Sequence, residues 1–402
     1  MNPAEPSPQI LVANAGSSSL KFQLYVLRHG ALALEIGGQI SGIGTTQTRF
    51  AAADGHGRTL TDEPLATSSA SNLEQAQAHV AGWLAKRMDR APVAVGHRIV
   101  HGGPRYHDSR IITPEVLREL DALAPLAPLH QHNNLLPVHV IAERWPEIVQ
   151  VACFDTAFHR GHAPEVERFA LPERFYQQGV RRYGFHGLSY EYIAGELRDS
   201  HPEVGSRVVA AHLGSGASAC ALLDGRSVDT TMGFTALDGL PMGTRPGRLD
   251  PGVLLWMLEQ GMDHDEIQRV LYYESGLKGL SGISGDVRDL EASAEPAARL
   301  ALEVFARRTA EAVAGLGVSL GGLDALVFTA GVGEHNARVR ARVCHHLAWL
   351  GLRLDDAANQ RHARRIAARA SAVDVLVIPT REEWVIARKT LETIGEASAP
   401  NG

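Results

Sequence analysis

ILVANAGSSSLKFQLYVL, residues 10–27, is the stretch on which the reading of this chain turns. Two apolar runs, Ile10–Ala13 and Leu20–Leu27, flank the polar segment Asn14-Ala15-Gly16-Ser17-Ser18-Ser19. In the second run Phe22, Leu24 and Val26 alternate with Lys21, Gln23 and Tyr25, the period of a strand with one buried face. The pattern predicts strand, tight turn, strand. The turn carries hydroxyls, a carboxamide and a glycine, with Lys21 just beyond it, and these groups suit a phosphate: backbone N–H donors, short side-chain donors and one ammonium. A plain serine-rich turn would use the same residues, so this stretch alone leaves both readings open.

A second copy tips the balance. RVVAAHLGSGASACALL, residues 207–223, repeats the layout with the turn His212-Leu213-Gly214-Ser215-Gly216. A third glycine turn, Gly331-Val332-Gly333-Glu334-His335, follows the apolar run Ala325–Ala330 and precedes a helix-like stretch at 337–350. Two phosphate-type hairpins and a strand–glycine–helix turn imply two related halves serving one nucleotide. Neither GxxxxGK[ST] nor a complete GxGxxG is present, which disfavours a Walker loop and a dinucleotide fold.

Several further segments carry a family likeness: GHRIVHGG at 96–103, FDTAFH at 154–159, YGFHG at 183–187, HLGSGAS at 212–218 and MGTRPG at 242–247. With NAGSSSLKF, GDVRD at 285–289, TAGVGE at 329–334 and PTREE at 379–383, they resemble the acetate kinase family, in order from about Ile10 to Ile394. The resemblance implies an α/β chain of two related actin-like (ribonuclease H-like) domains with an interdomain nucleotide cleft. It places an N-terminal acyl-substrate and phosphate domain at 1–154 plus 384–402, and a nucleotide-binding domain at 155–383.

Composition sets bounds. A length of 402 residues suits two domains with substantial cores, and 45% hydrophobic with 21% charged residues describes an ordinary globular chain. The formal net charge of −6 offers no basic footprint for nucleic acid, so a small anion must be attracted locally by a few arginines. Cys153, Cys220 and Cys344 lie far apart in apolar runs without CxxC, which reads as structural thiols in a reducing compartment. MNPAEPSPQ lacks a basic region and an apolar core, so it reads as a short tail and not a signal peptide. No run reaches the roughly 20 apolar residues of a membrane span. The expectation is a cytoplasmic protein.

Along the chain, residues 31–60 read as further strands and 61–71 as a loop. Asn72–Arg90 reads as a helix with Ala76, Val80, Trp83, Leu84 and Met88 on one stripe. Pro92–Val95 is a short strand delivering His97 and Arg98, Thr113-Pro114 opens a helix, and Ile148–Phe154 is a buried strand ending at Asp155. The second half starts near Thr156, carries a long helix around Ala297–Leu316, and ends with strand Val373–Ile378 and helix 382–394. The tail from 395 reads as disordered.

The candidate site follows from residue types in unusual places. Arg98 and Arg245 sit in Gly-, His- and Pro-rich turns, where a guanidinium fork matches carboxylate or phosphate oxygens. The resemblance implies that Arg98 binds the acetate carboxylate and Arg245 stabilises the transferring phosphoryl group. Asp155 stands at a strand end, as a ligand group or a helix N-cap. A carboxylate substrate is already ionised near pH 7, so Asp155 more plausibly orients Arg98 or a metal-bound water than acts as a base. His186 is one of 19 histidines, and the resemblance places it at the phosphoryl transition state. His159/His162 and His130/His132 have ligand-like spacing, but no HExxH or third ligand accompanies them.

By the same resemblance Lys21 contacts the phosphates. The nucleotide lies against His212, Leu213, Gly214, Ser215 and Gly216, against Asp286, Val287 and Arg288, and against Gly331, Val332, Gly333, Glu334 and His335. Asn14 and Glu382 bind Mg²⁺, with Mn²⁺ as the alternative ion, and ATP is co-substrate. Val100, Leu129, Phe185 and Ala236 line a methyl pocket beside Arg98. Ser215, His335 and Arg381 replace family asparagines, and Ala236 replaces a proline. The implied reaction is reversible in-line transfer of the ATP γ-phosphoryl group to acetate, giving acetyl phosphate and ADP, catalysed by a homodimer. The competing readings are a kinase for propionate or another short carboxylate, and a catalytically silent nucleotide-binding protein.

Overall fold

A computed structural model describes residues 7–16, 19–88, 90–126 and 131–398. The chain divides into two units, Met1–Ala157 with Arg381–Gly402, and Phe158–Thr380. Asp155 and Glu382, placed by the sequence reading in the second domain, thus belong to the first unit.

In the first unit β1 (Gln9–Ala15) and β2 (Ser19–Arg28) form the expected hairpin, with Asn14 opposite Lys21. Strands β3 (Ala31–Ser41), β4 (Arg49–Asp54), β5 (Thr59–Pro64), β6 (Ala94–Ile99), β7 (Arg110–Ile111) and β8 (Val149–Phe154) complete the sheet, in the order β5-β4-β3-β2-β1-β6-β8-β7. β6 runs parallel to β1 and β8 parallel to β6. β5 corrects the loop expected from residue 61. It is an edge strand paired only to β4, and its mostly exposed polar side chains hide it from a hydrophobicity pattern. Leu20, Phe22, Leu24, Ile40 and Phe50 pack against Leu73, Ala76, Val80 and Leu84 of the helix Leu73–Ala85. That helix is capped by the Asn72 side chain and ends before the Arg90 expected; Met88 still packs on the same core from the following turn.

Pleating sends alternate residues of β6 to opposite faces. Gly96 faces the helix Glu382–Ser398, and a Cβ there would lie 2.2 Å from Thr390 Oγ1. His97 faces the other way, toward Gln150, whose amide nitrogen donates to the Val138 carbonyl on the helix Gln131–Arg144. The helix Glu382–Ser398 packs on β1, β6 and β8, and it carries regular structure past the expected end at 394, so residues 395–398 are helical. The expected disorder of 399–402 falls outside the described residues, as do Leu129, His130, Ser17 and Ser18.

The second unit holds β9 (Arg207–Leu213), β10 (Ala217–Leu223), β11 (Arg226–Thr230), β12 (Ala325–Thr329) and β13 (Asp374–Val377), ordered β11-β10-β9-β12-β13. β9–β10 and β10–β11 are antiparallel, β9–β12 and β12–β13 parallel. This is the order and direction of β3-β2-β1-β6-β8, so the repeat seen in the two hairpins extends to five strands. β9 and β12 are buried on both faces, as their unbroken apolar runs require. The helix Gly187–Ser200 covers one face through Tyr190, Ile193 and Leu197, and the helix Pro296–Leu320 packs on β9, β10 and β11. The third glycine turn is not open: Ala330–His335 is a short helix entered through Ala330 at φ 65°. Among the described residues no helix is long and apolar enough to cross a membrane.

Candidate active site

In the first unit Arg98 follows Gly96 on the same face of β6, toward the start of the last helix. Its Nε donates to both oxygens of Asp155 at 3.1 Å and its Nη2 to Oδ2 at 2.7 Å. Nη1 lies 3.4 Å from Asn14 Oδ1, and the Asn14 amide donates to Glu383 Oε1 at 3.0 Å. Burial works against the charge on Arg98, but Asp155, Glu382 and Glu383 outweigh it and raise its pKa above the ordinary value. Asp155 is buried, whereas the Arg98 side chain is 21% exposed. Lys21 is exposed on the neighbouring strand and lines a shallow pocket with Glu383. Among the described residues no group of three His, Cys, Asp or Glu side chains is arranged to hold a metal.

Asn134 escaped the sequence reading. Its Nδ2 donates to the Ala15 carbonyl at 2.6 Å and its Oδ1 accepts from Val100 N at 2.9 Å, so one buried amide ties the hairpin turn to the segment after Arg98. The signal was a carboxamide on the buried face of a helix; its partner Ala15 lies 119 positions away.

In the second unit Arg245, His186 and Gly216 come together. A Cβ at Gly216 would sit 3.0 Å from Arg245 Nη2 and 3.5 Å from His186 Nε2, so glycine keeps a small space open between a cation and an imidazole. Arg245 is anchored by its Nη1, which donates to the Ala236 carbonyl at 3.0 Å. His186 has φ 59°, a conformation ordinarily left to glycine, at the N-terminus of the helix Gly187–Ser200. Its Nδ1 pairs with Ser218 Oγ at 2.8 Å, and its ring stacks on His212 with centroids 4.1 Å apart. His212 is held by Ser189 Oγ at 2.9 Å.

Apart from Lys21, which lies on β2 of the first unit, the expected nucleotide residues lie in this unit. Leu213 ends β9, Gly214 N donates to the Gly216 carbonyl, and Ser215 is exposed with its carbonyl accepting from Gly243 N. Asp286 caps the helix Val287–Ala292 and pairs with the exposed Arg288, which helps to lower its pKa. Val332 stands beside Gly331 in the short helix, and Glu334 accepts from Thr380 N at 3.2 Å. Arg340 is a second missed residue. Completely buried, it donates to the carbonyls of Gly333 (2.8 Å), Glu334 (2.9 Å) and Asn359 (2.8 Å), and to Asn359 Oδ1 (2.8 Å) and His362 Nδ1 (3.0 Å). Burial pushes its pKa down to about 10, so it remains a cation at neutral pH. Nothing in its helical surroundings marks it apart from a solvent-facing arginine until the fold is known. Of the expected acyl pocket, Val100 is buried in the first unit, and Phe185 and Ala236 lie in the second.

Comparison with known proteins gives a consistent result. A family model described as the acetokinase family matches residues 9–388. The chain is 50% identical over 393 residues to an acetate kinase from Nitrobacter hamburgensis, covering 97% of each. Its fold resembles a propionate kinase from Francisella tularensis (TM-score 0.88, 34% identity, 96% of this chain and 99% of that one). It also resembles an acetate kinase from Porphyromonas gingivalis (TM-score 0.82, 33% identity, 96% and 100%).

Proposed function

The chain belongs to the acetokinase family, and on that premise we propose that it transfers the γ-phosphoryl group of ATP reversibly to acetate. The observation that carries the reading is the small space at Gly216, bounded by Arg245 and His186. A phosphoryl group in transfer spreads negative charge over three equatorial oxygens, and positioned cations with few moving parts supply most of the catalysis. Arg245 would face those oxygens, with His186 donating from Nε2. When Nδ1 accepts from Ser218, the proton of the neutral ring sits on Nε2. Arg98 would hold the carboxylate acceptor. Asp155 spends both oxygens on Arg98, which suits an orienting role better than a proton acceptor.

The oxygen groups of this region are the Asn14 carboxamide, Glu383 bonded to it, and Glu382, whose charge acts on the neighbouring Arg98. One or two carboxylates completed by phosphates and water suit Mg²⁺, or Mn²⁺, better than a softer ion. We assign Glu382 and Asn14 to that ion, with Glu383 orienting the Asn14 amide. Bound there, the metal would offset charge on the nucleotide phosphates.

The family resemblance implies a homodimer, and one helix supports it. Pro251–Glu259 buries none of its residues, and Leu255, Trp256 and Leu258 are 63%, 57% and 53% exposed. Apolar exposure on that scale marks a surface covered by a partner. Trp256→Glu should shift the protein to a monomer in sedimentation or light scattering without unfolding it. The three buried, unbridged cysteines agree with a reducing, cytoplasmic location.

The test is to trap acyl phosphate with hydroxylamine in reactions containing ATP, Mg²⁺ and acetate, propionate or butyrate. Product with acetate supports the reading. Greater efficiency with propionate would move the assignment to a longer-chain kinase, and no product with any acid would leave a nucleotide-binding protein without turnover.

A further inference from the structure

We infer that His159 is a positioning residue for His186: with Ser227 and His162 it fixes the Phe185 carbonyl, and so the left-handed turn that presents the imidazole. The inference rests on the role proposed for His186.

The proton inventory of this buried cluster has one solution. His159 Nε2 lies 2.9 Å from the Phe185 carbonyl, which can only accept, so Nε2 bears the hydrogen. Burial, with His162 nearby, pushes the His159 pKa down to about 3, so the ring is neutral and Nδ1 is bare. Nδ1 must therefore accept, and Ser227 Oγ at 2.8 Å gives it the single hydroxyl hydrogen. Ser227 is left with lone pairs only. They receive His162 Nε2–H at 2.8 Å and the Cys220 thiol at 3.2 Å. His162 is also neutral, its pKa lowered to about 4 by burial and by the cations Arg182 and Arg160. The chain runs one way, from His162 through Ser227 to His159 and on to Phe185.

Packing adds a second hold. Gly184, at φ 75°, lies so close to the His159 ring that a Cβ would meet its Cγ and Cδ2 at 2.7 Å. The same ring meets Tyr190 edge-on at 5.7 Å, and the Tyr190 hydroxyl is 2.5 Å from Ser218 Oγ, the partner of His186 Nδ1. His159 thus touches both sides of the Gly184–His186 turn. It fixes the backbone from before His186, and it supports the tyrosine that completes the hydrogen bonds behind the ring. A left-handed non-glycine residue persists only where its surroundings over-determine it.

The test compares His159→Leu, His159→Gln and Ser227→Ala in the full chain by steady-state kinetics, thermal melting and nitrogen NMR of the histidines. His159→Leu should lower kcat by roughly ten- to a hundredfold, as a misplaced catalytic group does, with the KM values for acetate and ATP within about twofold. His159→Gln should recover most of that loss, because its amide N–H reaches the same carbonyl. Ser227→Ala should leave His159 in the Nε2–H form set by the Phe185 carbonyl but remove the hold on Nδ1, and so lower kcat severalfold. Wild-type kcat in His159→Leu, or equal loss in the Leu and Gln variants, would overturn the inference. If His159→Leu does not fold, Ser227→Ala decides: wild-type kcat in that variant overturns it. His186→Ala separates the two readings. An active His186→Ala enzyme removes the proposed role of His186 itself, whereas an inactive one beside a fully active His159→Leu removes only the positioning.

Discussion

At the scale of single residues the proposed chemistry rests on two arginines, and they are held differently. Arg98 is anchored by a buried carboxylate and Arg245 by a backbone carbonyl. Arg98→Ala and Arg245→Ala should each cost on the order of 3 kcal/mol of transition-state stabilisation, about a hundredfold or more in kcat/KM. Arg98→Ala also leaves Asp155 buried beside Glu382 and Glu383 without its cation, so it should lose thermal stability, whereas Arg245→Ala should not. Near-wild-type turnover in either variant removes that arginine from the mechanism. As a proposed wall of the acyl pocket, Ala236 would bear on substrate range. Proline there would keep the carbonyl that anchors Arg245 while stiffening the turn and adding bulk. A buried methylene is worth about 0.8 kcal/mol, so Ala236→Pro should raise the acetate-to-propionate ratio of kcat/KM by roughly threefold or more. An unchanged ratio would take position 236 out of the acyl pocket. Arg245 was legible because it stands in a glycine- and proline-rich turn; Arg98, expected in a turn as well, lies within β6, and only the glycines and histidines around it singled it out. Asn134 and Arg340 were not, since each looks like an ordinary helical residue and its partners are set by tertiary packing.

Elements account for why these residues meet. The pleat of β6 puts Gly96 and Arg98 on one face, and the absent side chain at 96 lets the helix Glu382–Ser398 approach closely enough to bring its two glutamates near Arg98. Gly96→Ala would place its methyl 2.2 Å from Thr390 Oγ1 and 2.7 Å from Ile386 Cγ2. Overpacking of this kind should cost about 1–3 kcal/mol in stability. Activity should fall as well, because the helix carries Glu382 and Glu383, and Thr390→Ala in the same chain should restore part of both losses. If Gly96→Ala melts like the wild type, the close approach does not set the helix position. The hairpins and the buried strands could be read from periodicity alone, because side-chain alternation reports directly on burial. β5 could not, as an edge strand is stabilised by backbone pairing that leaves no apolar trace. The helical form of Ala330–His335 was hidden for a related reason: glycines signal freedom, and Arg340, from the next helix, decides how that freedom is used.

For the whole molecule, buried histidines set the response to acid. His97 has its pKa lowered to about 4 by burial, and His159 and His162 to about 3 and about 4. In the unfolded chain each returns to about 6.5. Above that pH neither state is protonated and nothing is lost. As pH falls from about 6.5 toward 4 the unfolded state takes up protons that the native state refuses, so stability declines by up to about 1.4 kcal/mol per pH unit for each histidine. Chemical denaturation at pH 7.5, 6 and 5 should show this slope, and His97→Asn should make it shallower; stability flat over that range would contradict the assignment of neutral rings. The division of the chain has its own consequence, for biosynthesis. The first unit is closed by a helix that the ribosome makes only after all of Phe158–Thr380 has been added. At roughly 5–20 residues per second, that interval lasts on the order of ten to forty seconds. Throughout it the nascent sheet leaves uncovered the face of β1, β6 and β8 that Val385, Ile386 and Ala387 will bury. The second unit, being continuous, can mature as it emerges. Codon usage and chaperone supply over the stretch of message that encodes Phe158–Thr380 should therefore govern how much of the first-made part survives to receive the helix that closes it.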